Sequence, residues 1–485
     1  SACLVGSEMC IRDRSMNRPD DSIKLGKQAR KDCPRSSHSD PGQIKRDPLP
    51  LIEASSQGRV QSLVALRYGR MLVSPFTFYR GNALLQAHDL ASTPDMGLRS
   101  TICGDCHLMN FGGFATPERN LLFSVNDFDE VHPGPWEWDL KRLVASFLIA
   151  ARHLRHGPGV EEALCRELVG AYQRSMATCA GQSALEIWYD ALTYEDLLHQ
   201  ARSNSDTLEH VQRAIDKAAR RTHAELLPKI SERDARGRLL IRDDLPEIFH
   251  LHNTTSLLDP DDDWMRLEDW RPLYDTFMRD YRGTLQADRR DLLARFNPCD
   301  LAFKVVGVGS VGTRCLVALL TDNQQRPLFL QFKEARRSVL ADYVRVRSRP
   351  RHNGQRVVEG QRLMQSASDL FLGWTTGPNG RHFYVRQLRD MKVSAELETF
   401  DEETFAAYAR ICGRALARAH AKASGQAALI SGYIGKSETL AEALWHYAQA
   451  YATQNERDFE RFQQACRKGR LQARSEADFA ADHLP

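Results

Sequence analysis

No stretch of this 485-residue chain approaches the roughly 18 uninterrupted apolar residues of a membrane-spanning helix. Runs such as LVASFLIAA (143–151) are flanked at once by Arg142 and Arg152, so no membrane association is expected. Charge of one sign does not dominate either. Lysine and arginine (66) nearly balance aspartate and glutamate (63), which leaves a weak overall field and no reason to expect a nucleic-acid partner. The eleven cysteines follow no repeating framework and no secretory leader is visible, a pattern that fits a reducing cytoplasm rather than a disulfide scaffold. No internal repeat is found over residues 138–290. What is present is a 42% hydrophobic content, ample for a core, in a chain long enough for roughly two or three cooperating units.

The opening residues 1–14, SACLVGSEMCIRDR, resemble translated adapter read-through, with Met16 as the natural start. Residues 17–48 are polar, charged and proline-bearing, and 1–48 as a whole is expected to be a disordered or loosely attached leader. From about residue 50 the spacing of LVALRYGRML predicts a helix entering a shaped loop, SPFTFYRG. Residues 98–130 alternate short apolar runs with turn residues and predict a hairpin; residues 138–290 read as mostly amphipathic helix. The signal turns to β over 300–335, as strand, glycine-rich turn, strand, polar turn and strand. A helix through VVEGQRLMQSASDLFLGW, a strand pair ending HFYVRQLRDMK and ninety largely helical residues follow. The expected units are 49–150 and 151–295 in a large lobe, a β-rich nucleotide lobe over 296–395, and C-terminal helices over 396–485 that return to the large lobe.

Two segments carry chemistry. Gly104-Asp105-Cys106-His107-Leu108-Met109-Asn110 is followed by Asn126-Asp127-Phe128-Asp129. Phosphoryl transfer needs a carboxylate to orient the attacking hydroxyl, and an amide oxygen and a second carboxylate to hold magnesium against the nucleotide phosphates. In spacing and residue type the pair resembles the aminoglycoside and choline kinase pattern GDxHxxN…DFD. That resemblance implies Asp105 as base, Asn110 and Asp127 as metal ligands, and Asp139 of GPWEWDLKRL as the brace of the catalytic loop. Cys103 to His107 also satisfies C-x-x-C-H, the haem-attachment signature, but no export signal or second axial ligand accompanies it. A structural zinc site would need a second ligand pair, and no other close cysteine pair exists. Cys103 and Cys106 are therefore read as packing residues.

The second segment is Gly307-Val308-Gly309-Ser310-Val311-Gly312 between two β-like runs, with Lys333 on the third strand. A lone GxGxxG followed by a helix could mean a dinucleotide fold, whereas here a strand follows. Glycines in a strand-turn-strand let backbone amides approach phosphate oxygens, and a lysine on the next strand can reach the α and β phosphates. Gly307, Gly309, Ser310, Gly312 and Lys333 are thus expected to hold ATP, with Lys333 also catalytic and Glu359 as its acidic partner. YVRQLRDMK (384–392) would link the lobes. Arg345, Arg347, Arg349 and Arg351 are read as a solvated basic loop with a possible anion-receiving role. His420 is read as a packed or capping residue, and Trp136, Trp138 and Phe147 as core.

Taken together, SPFTFYRG, CGDCHLMNFGGF, NDFDEVHPGPWEWDLKRL, KVVGVGSVGTRC and GQRLMQSASDLFLGW resemble the bacterial domain-of-unknown-function family 2252 over about residues 50–440. The resemblance itself implies no activity. In ordinary kinases the glycine loop precedes the base loop; here the order is reversed. The expectation is an α+β, protein-kinase-like, two-lobed fold in circularly permuted order. It would act as an ATP- and Mg2+-dependent phosphotransferase whose partners are nucleotide and an unidentified small-molecule or protein hydroxyl. The alternatives are a catalytically silent nucleotide-binding or signalling module and a nucleotidyl (AMP) transferase on the same fold.

Overall fold

The computed structural model describes residues 18–202, 204–250, 260–265, 269–346, 350–388 and 393–483. The architecture is α+β. Six antiparallel strands form the main sheet in the spatial order Gly373–Thr376, His382–Gln387, Pro327–Glu334, Cys315–Thr321, Asn297–Lys304, Ile248–Phe249. The central strand CLVALLT is buried at every position, as a strand covered on both faces must be. Leu316, Ala318 and Leu320 pack in a cluster with Phe277 and Tyr281 of the helix Arg271–Thr284, while Val317 and Leu319 join Leu226 of the helix His223–Ile230. The polar turn after it is tied by the Asp322 carboxylate, which accepts from the Gln324 and Arg326 amides.

A smaller sheet pairs Phe111–Ala115 with Leu121–Val125 on one side and Val393–Ser394 on the other. The helix Trp136–His153 is buried along almost its whole length, with Trp136 (0% exposed), Trp138 (5%) and Phe147 (1%) in the core as expected. The long helices Pro158–Ala180, Glu402–Ser424 and Thr439–Arg467 share that core. Two of them approach closely at Gly413, where a Cβ would lie 2.3 Å from the Leu168 carbonyl oxygen, so only glycine permits the crossing.

The structure departs from the sequence expectation in three places. Residues 1–17 lie outside the described set, but residues 18–48 are not a loose leader: Pro19–Ala29 is a helix whose Gly26 rests against the helix Ala427–Ile434. Arg30 and Arg35 donate to the carbonyls of Tyr433, Gly432 and Ile434, which that helix leaves unpaired at its C-terminal end, and His38 bonds the Tyr433 hydroxyl at 2.6 Å. Polar composition here serves a capping contact. SPFTFYRG is a helix rather than a loop: Ser74 caps Pro75–Arg80 through a reciprocal bond with Thr77, and Pro75 occupies the first turn. The stretch 138–290 is interrupted by Ile248–Phe249, which adds an edge strand to the main sheet.

Candidate functional site

The loop after strand Arg99–Ile102 is shaped by Asp139. Its Oδ2 accepts from the Cys103 amide (2.8 Å) and thiol (3.1 Å), its Oδ1 from the Gly104 amide (2.9 Å), and His420 contacts Oδ2 at 3.2 Å while its other ring nitrogen meets the Tyr172 hydroxyl at 2.8 Å. Asp139 is thus a brace, and His420 is packed behind it. Gly104 takes φ +79°, and a Cβ there would lie 2.5 Å from the Glu130 carbonyl oxygen, so this tight turn requires glycine. The sulfurs of Cys103 and Cys106 and an Asp139 oxygen lie within 4.8 Å of one another, but the carboxylate is already engaged by the loop. Burial raises both thiols, Cys106 to about 11, so neither is a thiolate near neutrality.

The turn presents Asp105. Arg142 converges on its Oδ1 through Nε (2.7 Å) and Nη2; among the described residues Oδ2 has only His107 Nε2, at 4.0 Å. Arg142 is itself pinned, donating to Gln86, with its guanidinium 4.6 Å from the centre of the Tyr79 ring. Burial raises the Asp105 carboxyl above the usual range; Arg142 opposes this, and nearby Asp127 and Asp129 reinforce it. The Asn110 side-chain amide donates to the Asp105 carbonyl at 2.7 Å, so its oxygen is turned away from the loop backbone. The Asn110 carbonyl accepts from the Asn126 amide at 2.9 Å, which sets Asp127 beside it.

Asp129 joins this hairpin to the main sheet. Its Oδ2 accepts from Lys333 Nζ and from the Ser310 hydroxyl (3.2 Å), its Oδ1 from the Tyr384 hydroxyl (2.8 Å), and its amide donates to Asp127 Oδ1 at 3.2 Å. Lys333 and Asp129 are 204 residues apart in sequence. Burial lowers the Lys333 pKa, but Asp129, Tyr384 and Asp127 outweigh it and hold the ammonium charged. Glu359 was expected to be the partner of Lys333. It is exposed instead, bonded to Gln355 at 2.7 Å along its own helix, and Asp129 takes its place.

The glycine turn is anchored from behind. Val60 donates its amide to the Gly312 carbonyl (2.8 Å), Arg59 to Val311 (2.7 Å) and Arg70 to Gly307 (2.6 Å). Gly307 and Gly312 have φ +63° and +83°, and Gly309 lies against the Arg80 carbonyl, 3.3 Å from where a Cβ would sit. The amides of Gly309 to Gly312 donate to no group among the described residues.

Sequence reasoning assigned no role to Asp129, Arg80, Arg142, Tyr384 or Arg386, although all lie inside the quoted motifs. Arg80 lies close enough to Asp105 to feel its charge, and it helps lower the His107 pKa after burial. Arg386 acts on Asp127 and Asp129 from the strand it shares with Tyr384. An arginine one turn beyond Asp139 was the available signal for Arg142, since residues three apart share a helix face. Residues 389–392 of the expected linker lie outside the described residues.

A family model matches residues 59–465, over four-fifths of the chain. The chain belongs to DUF2252, described as an uncharacterized protein conserved in bacteria. Both motif-bearing segments of this DUF2252 protein, and the Arg142 and Asp139 that hold the first of them, fall within the matched region. No curated protein and no solved structure matches the chain. No helix among the described residues is long and apolar enough to cross a membrane.

Proposed function

We propose that this chain is an ATP- and magnesium-dependent phosphotransferase of kinase-like, circularly permuted fold. The observation that carries the reading is the meeting of Lys333, Ser310 and Asp129, which joins the glycine-turn segment to the GDxHxxN…DFD segment. The donor set fits magnesium nucleotide. Among the described residues, Asp127 Oδ1 is engaged only by the Asp129 amide and the Asn110 side-chain oxygen accepts from no group, both being hard oxygen donors of the kind magnesium prefers. The unpaired amides of the glycine turn and the Lys333 ammonium supply donors for phosphate oxygens. ATP, when bound, supplies the transferable phosphoryl group. Asp105 orients an acceptor hydroxyl through its open Oδ2 while Arg142 fixes the other oxygen, and its raised pKa suits a proton-accepting role.

The test is incubation of the full chain with magnesium and ATP labelled at the γ or the α position, against a fractionated cell extract. Transfer of γ label, lost in Asp105→Asn at near-normal nucleotide affinity, is the expected result; such a group contributes about a hundred- to ten-thousand-fold in rate. Transfer of α label alone would replace this reading with nucleotidyl transfer, and equal rates in Asp105→Asn would remove Asp105 from the chemistry.

A further inference from the structure

Of the four arginines in the basic loop, Arg345 and Arg351 are described, and Arg347 and Arg349 lie outside the described residues. The two described ones do not simply face solvent. They line one cavity of about 660 Å³ with Arg337, Arg356 and His132, and no carboxylate is among its lining residues. Arg356 and His132 are buried, 5% and 2% exposed. The terminal nitrogens of Arg356 donate to the carbonyls of Val131, Asp129 and Arg336, while its Nε is buried without a partner. Arg337 makes an exposed ion pair with Asp342; among the described residues no other lining arginine makes one. Glu130 and Asp129 act on Arg356 from behind the cavity wall, outside its lining, and the nearness of Arg356 and Arg337 helps depress the His132 pKa below its ordinary value, after burial itself.

Two further observations point to an anion. The helix Asn353–Met364 begins at this cavity with Asn353 in its wall, so the positive end of the helix dipole adds to the arginines. The cavity also adjoins the catalytic loop. Ser338, in its lining, donates to the Glu130 carbonyl at 2.8 Å, and the neighbouring Leu340 would lie 2.8 Å from a Cβ at Gly104, the residue before Asp105. His132 follows Asp129 by three residues.

We propose that this cavity is the subsite for a phosphate group carried by the acceptor, so that the enzyme acts on the hydroxyl of an already phosphorylated small molecule; the acceptor role rests on the phosphotransferase reading above. Guanidinium groups match phosphate oxygens in bidentate fashion, and several acting together outcompete solvation in a recess as they do not on an open surface. The volume admits a ligand of metabolite size.

Calorimetric titration of the full chain with inorganic pyrophosphate, without magnesium or nucleotide and at about 0.15 M salt, tests the site separately from transfer activity. Saturable one-to-one binding is expected. It should weaken at least about tenfold in Arg345→Ala/Arg351→Ala, whose exposed side chains carry no part of the core, and persist in Lys333→Met. Malonate, a dicarboxylate of similar span, should bind more weakly. Absence of saturable binding, unchanged affinity in the double arginine variant, or equal binding of malonate would overturn the phosphate subsite. Loss of binding in Lys333→Met with retention in the arginine variant would overturn it too, by placing the anion in the triphosphate cleft.

Discussion

Lys333, Ser310 and Tyr384 all reach Asp129 from the main sheet or its glycine turn, and Asp129 answers them from the end of the hairpin. Lys333 is 3% exposed, so its charge has little access to water and depends on that carboxylate. Removing one member of a buried pair strands the other. Asp129→Asn should therefore lower unfolding free energy by about 3 kcal/mol, measured from the denaturant midpoint at unchanged slope. Glu359→Gln, at an exposed position whose only bond among the described residues is to Gln355, should stay within about 0.5 kcal/mol of wild type. The reverse order of effects would restore Glu359 as the partner of Lys333. The sequence made Glu359 attractive because it sits on the helix after the lysine strand, where kinase logic expects an acid. Nothing local says which face of that helix turns inward. Gly360 decides it: a Cβ there would be 2.5 Å from Val131, so this face abuts the hairpin and Glu359, one residue back, points outward.

Among the elements, those with strong local signals were legible: the three strands of 297–334, the hairpin around Asn110 and Asp127, and the long alanine-rich helix near the C-terminus. Elements fixed by distant partners were not. The two-residue strand Ile248–Phe249 owes its place to pairing with Phe303 and Lys304 and to His250, which meets Asp243 at 2.7 Å and Asp300 at 2.8 Å. The helix Pro19–Ala29 is held by contacts with residues some four hundred positions away. His250 gives the edge strand a pH signature. Burial lowers its pKa, but hydrogen bonds to Asp243 and Asp300 outweigh this and raise it to about 10. With an unfolded value near 6.5, the folded chain binds the extra proton between these limits. The stabilisation is therefore complete below pH 6.5 and fades as pH rises through 10. Between them the wild-type unfolding free energy should fall with pH by up to about 1.4 kcal/mol per unit more steeply than that of His250→Gln. Parallel pH profiles for the two proteins would show that His250 is not charged in the fold.

For the whole molecule, the feature to account for is where the main sheet falls in a largely helical chain. The hairpin with Asp105, Asn110 and Asp127 comes first, its supporting helices enclose it from both directions in sequence, and the sheet with Lys333 is inserted between them. Each segment could be read alone from its residue types; that the two meet could not, because it depends on long-range docking through the Asp129 cluster and on Arg59, Val60 and Arg70 behind the glycine turn. If this junction is a nucleotide site, its halves must act on one ligand. The direct measurement is calorimetric titration of the full chain with ATP, with and without magnesium, for wild type, Asp127→Asn and Lys333→Met. The account predicts saturable one-to-one binding that magnesium strengthens, and a loss of at least about tenfold in each variant, with the magnesium dependence abolished in Asp127→Asn. No saturable binding by the wild-type chain, or binding indifferent to both substitutions, would contradict it.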